Sequence, residues 1–202
     1  MTFKTITIQD QSFIVPSWQE MGDLCFTLSK NIIESKKKYD RIVALAKGGW
    51  TWARAVSDYT GIHNVATIQY EFYADIGKTN KTPRLKLPLP VSVKDERLLV
   101  IDDVVDSGET VIAAHEYLKK SAAQSVETAS LFYKPRSSVK PDYYAAQTDA
   151  WVIFPHEIRE MVELLNSKWK RDNLSDSEIK KNFKTLGLPE DQVNYFLTIR
   201  NA

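Results

Sequence analysis

The stretch from Val100 to Thr110 limits the folds open to this chain more than any other part of its sequence. An apolar run leads up to two adjacent aspartates, and a third aspartate, Asp106, opens a short polar loop before a helical pattern that ends near Lys120. A short continuous apolar run is typical of a strand buried on both faces. We therefore predict a β-strand, a polar loop and an α-helix in succession.

A second unit of the same kind precedes the first. The apolar run Arg41–Ala46 leads through Lys47-Gly48-Gly49 into a helical pattern that ends at Gly61. Strands that alternate with helices form a doubly wound, mainly parallel sheet, so the predicted fold class is α/β. Such sheets bind ligands at the carboxyl ends of their strands. Further strands are predicted over Val65–Tyr70, Val126–Tyr133 and Trp151–Phe154.

Helices are predicted on both sides of this alternating region. Apolar residues recur every three or four positions over Pro16–Tyr39, and Ser17 with Glu20 forms a capping box at the start of this helix. After Trp169 the sequence becomes polar and contains the signals of two short helices up to Arg200. We therefore predict a main domain over residues 1–169 and a helical C-terminal extension over residues 170–202.

The segment from residue 72 to residue 90 does not follow the alternation. It has several basic residues and one acidic residue, Asp75, and glycine and proline interrupt any regular pattern. We predict a mobile basic loop or a short hairpin here. Its basic residues are Lys78, Lys81, Arg84 and Lys86.

Composition excludes several classes of function. With 27 Lys and Arg against 26 Asp and Glu, the net charge is +1, far from the basic excess that charge-driven binding to nucleic acid needs. The single cysteine, Cys25, allows neither an intramolecular disulfide nor a thiolate metal site, which favours a cytoplasmic location. No apolar run has the length of a membrane span. From the net charge we expect no nucleic acid as partner, and from the apolar runs we expect no membrane.

The loop after the third aspartate has the composition of a phosphate site. Asp106 is followed by Ser107, Gly108, Glu109 and Thr110 at the predicted start of a helix. Backbone N–H groups at a helix start, a glycine and two hydroxyls can surround a phosphate dianion. An isolated Asp-x-Gly is more often a simple turn, but here it follows an apolar strand and an acidic pair. The Walker A pattern is absent.

This string resembles the phosphoribosyl pyrophosphate signature of type I phosphoribosyltransferases, in which two acidic and two apolar residues precede Asp-Ser/Thr-Gly-x-Thr. The resemblance implies that the loop from Ser107 to Thr110 holds the sugar 5-phosphate, with Glu109 contributing only its backbone. It also implies that Asp102 and Asp103 bind the ribose hydroxyls. Asp106 would lie near the purine N7 and the reacting carbon as the general base.

The segment Ala46-Lys47-Gly48-Gly49 resembles the pyrophosphate loop of purine salvage members of this family. The glycines leave N–H groups accessible to oxygens, and Lys47 brings a positive charge to a highly charged leaving group. Taken alone, Lys-Gly-Gly is more often a turn at a helix start. The resemblance also implies a cis peptide between Ala46 and Lys47.

Two further segments, Leu131–Pro135 and Asp149–Glu157, look like the base-binding segments of the 6-oxopurine branch. There a lysine contacts the purine O6 and N7, an aromatic ring stacks on the base, and the next backbone carbonyl meets the group at C2. Lys134, Trp151 and Val152 occupy these positions. Taken singly, a tryptophan in an apolar strand is usually a core residue, and a lysine at a strand end is usually solvated.

The resemblance implies a purine phosphoribosyltransferase that uses Mg²⁺, with Asp102 or Asp103 as metal ligands directly or through water, and that forms a homodimer. Its substrates would be phosphoribosyl pyrophosphate and guanine, hypoxanthine or xanthine. His156 stands where many relatives have tryptophan, so the order of preference among the three bases stays open. The alternatives are a regulator of the same fold that senses phosphoribosyl pyrophosphate or a nucleotide, and an enzyme for another base such as adenine.

Overall fold

A computed structural model describes residues 3–74 and 81–199. The chain forms two compact units, one of residues 22–148 and one of residues 1–21 with 149–202. The elements in chain order are β1 (Ile6–Ile8), β2 (Gln11–Ile14), α1 (Trp18–Glu34), β3 (Arg41–Ala46), α2 (Gly49–Thr60), β4 (Val65–Ala74), β5 (Lys81–Leu87), β6 (Arg97–Val105), α3 (Glu109–Lys120), β7 (Ser125–Tyr133), β8 (Tyr143–Gln147), β9 (Trp151–Val152), α4 (Ile158–Arg171), α5 (Asp176–Leu186) and α6 (Glu190–Thr198).

The larger unit contains a six-stranded sheet in the order β5-β4-β3-β6-β7-β8. All neighbouring strands are parallel except β4 and β5, which are antiparallel. This arrangement confirms the predicted α/β class with a mainly parallel sheet. β6 runs four residues beyond the predicted Ile101, so Asp102 lies within the strand, opposite Ser130 of β7.

β6 lies at the centre of the sheet, and its apolar residues are part of the core. Leu98, Leu99, Val100 and Ile101 are each 0% exposed. One core cluster joins β6 and its neighbours to the inner face of α3, from which Leu118 projects. Burial on both faces accounts for the uninterrupted apolar run in the sequence.

α1 begins as predicted and ends earlier. The N–H of Glu20 donates to Ser17 Oγ at 3.2 Å, and the N–H of Ser17 donates to Glu20 Oε2 at 2.7 Å, which is the predicted capping box. The helix ends at Glu34, and Lys36 has a φ of 58°. Cys25 is buried on this helix, and burial raises the pKa of its thiol to about 12. Within the described residues, no helix combines the length and the hydropathy needed to cross a membrane.

The basic segment after β4 forms a hairpin in its described part. β4 and β5 pair antiparallel as far as Ala74 and Lys81, and residues 75–80 lie outside the described residues. Two tyrosines attach the base of this hairpin to α3. Tyr70 Oη donates to the carbonyl of Ala113 at 3.0 Å, and the N–H of Leu89 donates to Tyr117 Oη at 3.0 Å.

The smaller unit has its own three-stranded sheet, in the order β1-β2-β9. The predicted strand Trp151–Phe154 is reduced to the two residues of β9, and it does not belong to the six-stranded sheet. β9 pairs in parallel with β2 instead, and the N–H of Ile153 donates to the carbonyl of Ile14 at 2.9 Å. The partner strand lies near the start of the chain, so local sequence could not indicate this pairing.

The two predicted C-terminal helices, α5 and α6, are present and share a core with α4 and the small sheet. Trp169 and Phe183 contact edge to face, with ring centroids 4.9 Å apart. Ser175 and Glu178 form a complete capping box, and Gly187 ends α5 with a φ of 75°. The domain boundary between residues 169 and 170 stays a prediction, and it falls within α4.

We expect Phe183→Ala to lower the free energy of unfolding by about 3–5 kcal/mol, because it removes a 1% exposed ring from the core that holds α4 and α5 together. Tyr195→Ala on α6 is the matched control, because Tyr195 is 63% exposed. Urea unfolding followed by circular dichroism measures both variants. Equal stability losses would contradict the assignment of Phe183 to this core.

Candidate active site

Three predicted segments meet at one edge of the six-stranded sheet. β3, β6 and β7 are adjacent and parallel, so their carboxyl ends lie side by side. Lys47 follows β3, the acidic pair lies near the carboxyl end of β6, and Lys134 follows β7. This edge is where open α/β sheets bind ligands.

The acidic pair lies in the carboxyl-terminal half of β6, two residues before the strand ends at Val105. The N–H of Asp103 donates to Asp102 Oδ1 at 3.0 Å, and the N–H of Val104 donates to Asp103 Oδ1 at 2.6 Å. Burial, reinforced by the negative charge of Asp103, raises the pKa of Asp102 well above its usual value. Burial also raises the pKa of Asp103, to about 6. Two adjacent carboxyl groups in this setting favour a ligand that supplies hydroxyl donors or a cation.

The glycine loop after β3 packs closely against the end of β6. A Cβ on Gly48 would overlap the carboxylate of Asp103, and one on Gly49 would overlap the carbonyl oxygen of Ile101. The side chain of Lys47 is exposed, and the Ala46–Lys47 peptide is cis, as the resemblance implied. Only glycine at both positions lets this loop lie against the acidic strand.

The loop after β6 surrounds a cavity at the start of α3. Gly108 has a φ of 88°, which favours glycine, and a Cβ there would lie 2.8 Å from Ser137 Oγ. The cavity has a volume of about 770 Å³. Its lining combines hydroxyl groups and backbone N–H groups at a helix start, the combination that binds phosphate. The lining residues are Asp102, Val104, Val105, Asp106, Ser107, Gly108, Glu109, Thr110, Val111, Arg136 and Ser138.

Asp106 is held by two basic side chains. Lys134 Nζ donates to Asp106 Oδ2 at 2.7 Å, while Arg136 donates to Asp106 Oδ1 from Nε at 3.1 Å and from Nη2 at 2.7 Å. Partial burial raises the pKa of Asp106, but the hydrogen bonds from Lys134 and Arg136 outweigh it, so the net pKa is lowered. Asp106 is therefore a carboxylate at neutral pH.

Sequence reasoning did not select Arg136. The signal was present, because the residue lies two positions beyond Lys134, at the carboxyl end of the strand next to β6. Ser138, also unselected, donates through its backbone N–H and its hydroxyl to the carbonyl of Ser107, at 3.0 and 2.7 Å. These contacts tie the segment after β7 to the phosphate loop.

The remaining predicted residues, Trp151 and Val152, form β9 in the smaller unit. Trp151 is 43% exposed, and Val152 is buried and pairs with Ile14. The structure therefore groups the predicted ribose, phosphate and pyrophosphate residues with Lys134 in one unit. The roles of Trp151 and Val152 in base binding stay predictions.

Comparison with protein families decides what this arrangement represents. Residues 15–160 match the model of the phosphoribosyl transferase domain. The chain belongs to the phosphoribosyl transferase family. The match covers all the segments described at this site, so the resemblance seen in the motifs is confirmed.

Individual phosphoribosyl transferases are similar over most of their length. The chain is 28% identical over 152 residues to a xanthine-guanine phosphoribosyltransferase of Gluconobacter oxydans, covering 74% of this chain and 87% of that protein. A protein of the same name from Nitratidesulfovibrio vulgaris is 29% identical over 154 residues, with coverages of 74% and 89%. The crystal structure of a purine phosphoribosyltransferase from Pyrococcus horikoshii is 32% identical, with a TM-score of 0.65 and coverages of 71% and 93%.

We expect Gly49→Ala in this phosphoribosyl transferase to destabilise the fold by about 1–3 kcal/mol, because its Cβ would overlap a backbone oxygen that cannot move away cheaply. Gly22→Ala is the matched control. Apart from its chain neighbours and the backbone of α1 itself, no atom of the described residues lies within 4 Å of a Cβ at Gly22, so this change should stabilise the helix by about 0.5–1 kcal/mol. Thermal unfolding distinguishes the two variants. A Gly49 variant as stable as the wild type would contradict the close packing of the loop.

Proposed function

We propose that this protein joins a 6-oxopurine base to phosphoribosyl pyrophosphate in purine salvage. A base nitrogen attacks the anomeric carbon of the ribose as the bond from that carbon to the pyrophosphate oxygen breaks. The base loses its proton, and the products are the nucleoside 5′-monophosphate and pyrophosphate. The names of the similar proteins, two xanthine-guanine phosphoribosyltransferases and a purine phosphoribosyltransferase, support this reaction.

One observation carries the proposal. The Lys134–Asp106 pair lies beside the phosphate cavity, so a proton acceptor and a donor for a base oxygen are next to the sugar site. A lysine whose side chain is 5% exposed needs a defined partner, and Asp106 is such a partner. A site that binds only a sugar phosphate does not require this pair.

The roles of the donor-binding residues follow from their positions. Ser107, Gly108 and Thr110, with the backbone of Glu109, hold the 5-phosphate at the start of α3. Asp102 and Asp103 accept hydrogen bonds from the ribose hydroxyls, which would offset the burial that raises the pKa values of both carboxyl groups.

The pyrophosphate group has its own loop. Ala46, Lys47, Gly48 and Gly49 take the leaving group, with Lys47 providing the charge and the glycines their N–H groups. This loop touches the acidic strand through Gly48 and Asp103, so the leaving group and the ribose lie next to each other.

In the acceptor site Lys134 donates to O6 and N7 of the base, Trp151 stacks on the ring, and the carbonyl of Val152 meets the group at C2. The half-exposed ring of Trp151 supports a stacking role, and the burial of Val152 supports a backbone role.

Asp106 is the general base of the proposed reaction. The transition state is electron-poor at the ribose, so negative charge nearby stabilises it and a carboxylate can accept the proton that the base loses. The lowered pKa of Asp106 keeps it ionised for this task.

Magnesium is the cofactor that such a substrate implies. Asp102 and Asp103 offer hard carboxylate oxygens, and the raised pKa of each reflects burial that a nearby cation would offset, so they fit a Mg²⁺ ion held directly or through water. When bound, the ion would neutralise pyrophosphate charge.

We also propose a homodimer in the cytoplasm. Phe26 and Tyr59 contact edge to face, with centroids 5.7 Å apart, while remaining 57% and 49% exposed, which is typical of a face that a partner covers. The single buried Cys25 is consistent with a reducing compartment. Light scattering on the purified protein measures the assembly.

Pyrophosphate release measured with guanine, hypoxanthine, xanthine and adenine tests the proposed function. Adenine should be slower by about four orders of magnitude in kcat/KM, because its amino group would face the Lys134 ammonium and leave two donors unpaired. Guanine and hypoxanthine should be used, with xanthine weaker because its C2 oxygen faces the carbonyl of Val152.

Two results would contradict this function. Efficient use of adenine would contradict the assignment of Lys134 and Trp151 to a 6-oxopurine site. Binding of phosphoribosyl pyrophosphate without turnover of any base would favour the alternative, a sensor of the same fold.

We expect Asp106→Asn to lower kcat by about two to four orders of magnitude, because an amide cannot accept the proton. The KM for phosphoribosyl pyrophosphate should change little. Glu116→Gln, an exposed change on α3, is the control and should keep normal turnover. Near-normal kcat in the Asp106 variant would exclude it as the base.

A further inference from the structure

Asp106 depends on a second basic residue that the proposed mechanism does not use. Its side chain is 46% exposed, and Lys134 fixes one oxygen of the carboxylate. Rotation of a carboxylate about its last bond meets only a low barrier, so a single contact leaves the plane of the group poorly defined. Arg136 supplies the contact to the other oxygen.

The geometry of Arg136 is suited to orientation. Two nitrogens of one guanidinium edge, Nε and Nη2, donate to the same oxygen of Asp106, at 3.1 and 2.7 Å. The guanidinium is rigid and planar, so its two converging hydrogen bonds restrict the position of Oδ1. With Lys134 on Oδ2 and Arg136 on Oδ1, both oxygens are held.

The backbone holds Arg136 beside Asp106. The N–H of Lys134 donates at 3.0 Å to the carbonyl of Val105, the residue before Asp106. The N–H of Ser138 donates at 3.0 Å to the carbonyl of Ser107, the residue after Asp106. The segment that carries Arg136 is therefore hydrogen-bonded to the backbone on both sides of Asp106. Its place does not depend on the salt bridge alone.

Stability does not account for this contact. Arg136 is 60% exposed, and an ion pair with one partner so exposed contributes little to stability. Arg136 also lines the phosphate cavity, and it is the one basic side chain among the lining residues that the structure describes. A role in binding the phosphate is therefore the rival explanation, although the edge that carries Nε and Nη2 already faces Asp106.

We infer that Arg136 is a positioning residue that fixes the plane of the Asp106 carboxylate, and with it the oxygen that accepts the proton of the base. This inference rests on the proposed function, in which Asp106 is the general base. Lys134 has two tasks, one toward Asp106 and one toward the purine. Arg136 keeps Asp106 oriented when Lys134 engages the base.

Steady-state kinetics with guanine and phosphoribosyl pyrophosphate test the inference on the wild type, Arg136→Ala, Arg136→Lys and Lys140→Ala. We expect Arg136→Ala to lower kcat about 10- to 100-fold, the scale of a misplaced catalytic group. Its KM for phosphoribosyl pyrophosphate should stay within about twofold of the wild type, because a residue that does not bind substrate acts on kcat. Arg136→Lys should recover part of kcat, since it keeps the charge without the fork.

Lys140→Ala is the matched control. Lys140 is exposed on the same segment and lies over the ring of Tyr144, so its removal takes away one positive charge without touching Asp106. Its kcat should equal that of the wild type, and the thermal midpoint of Arg136→Ala should equal that of the wild type as well.

Four results would overturn the inference. A raised KM with unchanged kcat would assign Arg136 to phosphate binding, and a loss of kcat that parallels a loss of thermal stability would assign it a structural role. Normal kinetics in Arg136→Ala, measured together with an active wild type, would contradict the positioning role and leave the proposed function in place. A wild type that releases no pyrophosphate with any purine would overturn the proposed function, and the positioning role with it.

Discussion

The parallel pairing of β3, β6 and β7 is the constraint on which the rest of the site depends. Ala44 lies opposite Ile101 across one pair, and Val105 lies opposite Tyr133 across the other. Parallel strands end at the same edge, so segments far apart in the chain deliver their polar residues to one place. The buried apolar run of β6 holds the three strands together, and the polar residues after it lie at the edge where the strands end.

The three aspartates of the site have opposite electrostatic environments although they lie within five positions of one another. Burial raises the pKa values of Asp102 and Asp103, and the charge of Asp103 raises that of Asp102 further. At Asp106, burial also raises the pKa, but two basic side chains outweigh it and lower the pKa. Groups whose pKa values are pushed apart usually have different tasks. The pair suits ligand hydroxyls or a cation, and the third suits proton transfer.

The sequence predicted the local parts of the fold and of the site well. The strand before Lys47, the loop after Asp106 and the helix that starts after Ser17 all depend on neighbouring residues and lie where their patterns indicated. β8 was not predicted, and the sequence could not show that β9 pairs with β2, because pairing depends on strands distant in the chain. Arg136 was missed for the same reason. Its significance comes from its contact with Asp106, which directly follows the adjacent strand β6.

The hairpin of β4 and β5 also affects the solubility of the whole sheet. β5 is an edge strand, and an unpaired edge can accept a strand from another molecule and start aggregation. Proline at position 83 has no N–H to offer to such a strand, and the charge of Arg84 opposes the approach of a second copy of the same edge. The basic character of this segment therefore protects the protein from association through its sheet, independently of any contact with substrate.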